Sequence, residues 1–87
     1  MNTDEYEISI GREISLCRRF VKKLGNSLHK REKQYGMTTE AFLRAMEEGR
    51  LSEQIHFRVW REEYRDLQYW QKMLNDYEEA LRLLKGF

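Results

Sequence analysis

The chain has 87 residues, 36% of them charged, with no proline and a net charge of +1. That is the length of one domain, and the near-neutral charge gives no global field toward nucleic acid or membrane. Its single cysteine, Cys17, excludes an internal disulfide and suits a reducing cytoplasm.

No apolar run approaches the ~20 residues of a membrane span. The opening "MNTDEYEIS" lacks a signal peptide's apolar core. A proline-free chain rich in Glu, Lys, Arg and Leu reads as helical. A soluble, cytoplasmic, all-α protein is the expectation.

Residues 1–11 are ambiguous. Thr3, Asp4 and Glu5 resemble a helix start, with acids favourable at its positive end. Tyr6, Ile8 and Ile10 alternate with polar residues, which is strand period. A lone strand would have no partner, so fraying or helical structure is favoured, with regular helix from about residue 12.

Ile10, Ile14, Cys17, Val21, Leu24 and Leu28 then recur in heptad steps, and the series continues through Arg31 to Tyr35. This predicts helix over 12–35, with Phe20 widening the stripe. Gly25 marks a kink or weak point, at roughly 1 kcal/mol against alanine.

Gly36 stands where a left-handed helix cap belongs. Thr38 is the N-cap expected for a short helix over 39–48. Met37 and Phe42 are placed to form a hydrophobic staple. Gly49 ends that helix, and Ser52 caps a third over 53–84, with Glu53 in its first turn. There Trp60, Leu67, Leu74 and Leu81 form one heptad series, and Trp70, Tyr77 and Leu84 its companion, with Glu63 in the companion's first slot. The architecture predicted is a long–short–long helical hairpin, coiled-coil-like along its seam. The third helix overhangs the first by about two turns, unless the N-terminal segment is helical too.

No catalytic, cofactor-binding or metal-binding residue is expected. Glu53 and His56 have the i, i+3 spacing of di-iron bundles, but the remaining ligands are missing. The helix plan is also similar to that of the small helical chorismate mutases, but the apolar stripes leave no place for their core cations, and fold likeness alone is weak warrant for function.

Residues 18–33 hold seven Lys or Arg against one Glu. Arg18, Arg19, Lys22, Lys23, Lys30 and Lys33 are therefore candidates for phosphate contact, although a solvated face is the commoner meaning of such a run. The aromatics Phe20, Phe57, Trp60, Tyr64 and Trp70 are candidates for a partner or dimer interface; helical spacing alone also makes them core.

"YGMTTEAF", then "EEGRL", then "FRVWREEY" resembles a group of small prokaryotic helical proteins. These are regarded as antitoxin-like components of toxin–antitoxin gene pairs. The match covers about residues 33–70 and departs from the group's pattern at "GRLSEQIHF". It rests on Tyr35, Gly36, Met37, Phe42, Gly49, Leu51, Trp60 and Tyr64, which look structural first.

The resemblance implies a non-enzymatic interaction protein whose partner is a neighbouring gene product, with a toxin as the candidate, or a second copy of the chain. The alternative is a nucleic-acid-binding regulator using the basic segment. Self-association of two hairpins into a four-helix bundle is also expected, because the widened stripes exceed what one hairpin covers.

Overall fold

Heptad spacing without proline gives three helices in the computed structural model, which describes residues 3–86. They are α1 Thr3–Tyr35, α2 Thr39–Glu47 and α3 Ile55–Leu84. The two long helices pack along each other and α2 closes the corner between them, as expected of an all-α hairpin. Among the described residues no helix is long and apolar enough to cross a membrane.

The N-terminal segment is helical from Thr3, so the alternation of Tyr6, Ile8 and Ile10 does not make a strand. Residues 1 and 2 of that segment lie outside the described residues. Ile10 packs into the seam, whereas Tyr6, one turn earlier on the same side, and Ile8, on the opposite face, are exposed. The early start removes the expected overhang. At 1.5 Å per residue, the 33 residues of α1 and the 30 of α3 span about 50 and 45 Å. Helix α1 also runs unbroken through Gly25.

Both corner glycines take the left-handed conformation, with φ of 65° at Gly36 and 71° at Gly49. Behind Gly36 the Met37 N–H reaches back to the Glu32 carbonyl at 3.2 Å. Behind Gly49 the Arg50 N–H reaches the Ala45 carbonyl at 2.9 Å, and the Gly49 N–H reaches Met46 at 3.1 Å. These are the paired bonds of a Schellman ending. Thr38 caps α2 as predicted, its hydroxyl accepting from the Ala41 N–H at 3.1 Å. Helix α2 ends at Glu47, with Glu48 as its C-cap.

The start of α3 differs from expectation. The N-cap is Gln54, not Ser52, and it makes no side-chain cap bond. Leu51 packs against the corner core, and the chain leaves it extended, with Gln54 at φ −108°, ψ 155°. The Ser52 hydroxyl instead accepts from Gln54 Nε2 at 3.0 Å. Glu53, outside the helix, engages Arg58 and Arg61 on its first turns.

Two apolar clusters hold the hairpin. One, toward the open end, centres on Ile14, Cys17 and Leu74. The other, at the corner, centres on Leu28, Phe42 and Trp60 and gathers Tyr35, Met37, Leu51 and Tyr64 around them. The molecule is a rod of 55 × 20 × 18 Å.

Candidate interaction surfaces

Trp60 is the centre of the corner and has no exposed surface. Phe42 stacks on its ring at 3.9 Å and 3° between planes, and Tyr35 at 5.5 Å and 24°. Burying an indole requires an acceptor for its N–H. That acceptor is the hydroxyl of buried Thr39, 3.1 Å from Trp60 Nε1. The backbone N–H of Thr39 in turn donates to Glu32 Oε2 at 2.7 Å. The relay Glu32–Thr39–Trp60 thus joins all three helices through the first residue of α2. The bond from the Thr39 N–H, resisted by burial and aided by the Thr39 hydroxyl and His29, holds the Glu32 carboxyl below its ordinary range.

A second polar link crosses the seam. Glu63 accepts from the Ser27 hydroxyl at 2.9 and 2.8 Å and from Arg31 Nε at 2.7 Å. Glu63 therefore faces α1, as its slot in the companion heptad series places it. Arg31, the polar member of the α1 heptad series, has its partner here.

The proposed interface aromatics fall into different settings. Trp60 is wholly internal, so it has no surface to offer a partner. Phe20 stacks on Trp70 across the seam at 4.5 Å and 17°. Phe57 and Tyr64 are half-buried against the corner cluster. Sequence reasoning missed several apolar side chains that stand more exposed. They are Tyr6, Ile8 and Leu83 at the open end, Ile55 and Val59 at the start of α3, and Tyr69, half or more exposed except for Val59. Their positions off the main heptads were the available signal.

One face of the seam is an open groove. Val21 and Gly25 of α1 and Tyr64 and Leu67 of α3 form its apolar part, with Gln68, Gln71, Lys72 and Asn75 along one rim, enclosing about 530 Å³. It continues past Gly25, Tyr64 and Leu67 into a smaller hollow of about 240 Å³ beside Leu28, Glu32 and Thr39. Gly25 lies where the two meet. A Cβ built there would find nothing within 4 Å, so neither helix packing nor backbone conformation requires this glycine.

Of the phosphate-contact candidates, Arg18 pairs with Glu78 of α3 at 2.9 Å. Arg19, Lys22, Lys23, Lys30 and Lys33 are exposed, and no ion pair engages them among the described residues. Arg12, outside the run singled out by sequence, shares their exposure.

Glu53 is held by arginines, and no cluster of three or more His, Cys, Asp or Glu side chains is assembled among the described residues. Cys17 is fully buried, and burial, with Glu13 nearby, pushes its thiol pKa up. It packs as a small hydrophobe. No protein family, curated protein or solved structure matches the chain.

Proposed function

We propose that this chain is a non-enzymatic, cytoplasmic protein–protein interaction module, the antitoxin-like component of a two-gene pair, and that a helix of its partner docks in the seam groove. The observation that carries the reading is the groove over Gly25. Its apolar floor lies between two helices that have no third helix to cover it. The floor glycine, which the hairpin itself does not need, gives an incoming helix close backbone access.

Surface area supports the same reading. A folded monomer of 10.7 kDa exposes about 5,500 Å² on the usual scaling, and this chain exposes 6455 Å². The excess is close to the ~800 Å² per partner of a standard interface. The residues resembling the antitoxin-like group gather at the corner, where they build the scaffold at one end of the groove.

Co-expression with the product of an adjacent short reading frame tests the proposal. Stable co-elution of the two proteins, and relief of any growth defect caused by the neighbour alone, are expected. A neighbour that elutes separately and retains its toxicity in the presence of this chain overturns the antitoxin-like assignment.

A further inference from the structure

We propose that the outer face of α1, on the side turned away from α3, docks the phosphate backbone of a nucleic acid without reading its sequence. Arg12, Arg19, Lys22, Lys23, Lys30 and Lys33 are all exposed. At 3.6 residues per turn they fall within an arc of about 100°, along about 32 Å of helix. Between Ile8 and Thr39 the acids are Glu13 and Glu32. Both are partly buried, and Glu32 is tied to Thr39. Between these bounds the fold therefore turns the acids off this face, and no ion pair engages its six cations among the described residues.

The contrast with α3 separates this face from an ordinary solvated one. On α3 the cations Arg58, Arg61, Arg65, Lys72 and Arg82 each have a carboxylate partner. Local pairs of that kind neutralise a helix surface. Of the eight cations of α1, Arg18 and Arg31 are paired with α3 carboxylates, and the six of the outer stripe form no such pair among the described residues.

A continuous polyanion fits this stripe better than the alternatives. A duplex carries one charge per ~1.7 Å of its axis, so a straight row of cations meets phosphate along its whole length. Ser15 and Asn26, exposed within the same stretch, add hydrogen-bonding groups of the kind that contact phosphate and sugar. A membrane surface is disfavoured because an interfacial helix needs a free apolar face, and that of α1 is packed on α3. The stripe is distinct from the seam groove, so the two proposals stand or fall separately.

The test is fluorescence anisotropy on the full chain with labelled random-sequence duplexes of about 20 base pairs, as DNA and as RNA. Neutralising six phosphate contacts predicts an affinity loss of roughly 1,000-fold between 50 and 200 mM salt. The variant Lys22→Gln/Lys23→Gln/Lys30→Gln/Lys33→Gln should bind more weakly and lose only roughly 10-fold over that range. Its substitutions are all at exposed positions and should leave the circular dichroism unchanged. A charge-matched control, Arg58→Gln/Arg65→Gln/Lys72→Gln/Arg82→Gln, should keep the affinity and salt dependence of the unmodified chain. Binding of either duplex in this pattern supports the proposal. Absence of binding to both at 50 mM salt, equal weakening by the two variants, or equal affinity for polyglutamate or phosphatidylserine vesicles overturns it.

Discussion

Thr39 is the residue on which the corner turns, because its two polar groups serve different helices. Its hydroxyl satisfies the indole of α3 and its backbone N–H binds the carboxylate of α1. Thr39→Val keeps the shape and removes the acceptor, leaving the Trp60 N–H buried and unpaired. A loss of about 1–3 kcal/mol is expected, read as a fall in Tm of roughly 4–8 °C for each kcal/mol. Thr38→Ala, which removes the more exposed cap bond, should cost about 1 kcal/mol. Thermal melts of the two variants check the order.

Glu32 adds a pH dependence of known sign. Its folded pKa lies below the ordinary value of 4.5, so its stabilisation is fully present above that value and is lost as pH falls through the folded pKa. Glu32→Gln should therefore be less stable than the unmodified chain at pH 6, and the difference should shrink as both are acidified below 4.5. Denaturant titrations across that range measure it. At this scale the sequence revealed caps better than partners. Thr38, Gly36 and Gly49 announce themselves by residue type, whereas the Glu63–Arg31–Ser27 contact requires knowing the register of one helix on the other.

Among the elements, α1 carries two internal glycines, Gly11 and Gly25, and it is Gly25 that lies at mid-helix. Gly25→Ala removes the backbone-entropy cost of glycine, and the new methyl meets no neighbour. A gain of up to about 1 kcal/mol is expected, seen as a raised Tm with unchanged helicity. Destabilisation would mean that the glycine relieves a strain in α1. The helices themselves were legible because heptad spacing and glycine caps are local signals. The N-terminal limits of α1 and α3 were not, whereas Thr38 marked the start of α2. The period-2 pattern of Tyr6, Ile8 and Ile10 arises because only Ile10 enters the seam. The start of α3 moved to Ile55 because Leu51 belongs to the corner core, a tertiary demand stronger than the capping preference of Ser52.

At the scale of the molecule, the hairpin is more extended than its length requires. Its radius of gyration is 17.2 Å, against about 12 Å for a globular chain of 87 residues. Two helices and a corner give Trp60 and Cys17 complete burial, yet leave the Gly25 groove and the open-end apolar side chains uncovered. In the absence of its partner, a second copy is the simplest cover for that surface. Sedimentation equilibrium at micromolar concentration should show an apparent mass that rises with concentration above 10.7 kDa. Gly25→Leu, which fills the groove, should hold it at that value. The hairpin and its aromatic corner could be read from the sequence, but the groove could not. It depends on which sides of two seams remain uncovered once the helices are in register.

Hydrogen–deuterium exchange on the complex with the co-eluting neighbour tests the docking surface most directly. The account predicts that complex formation slows exchange chiefly in segments 21–28 of α1 and 64–75 of α3, which line the groove, with little change at the outward tip of α2. Protection confined to the corner or to the open end, with both groove segments exchanging as in the free chain, would contradict it.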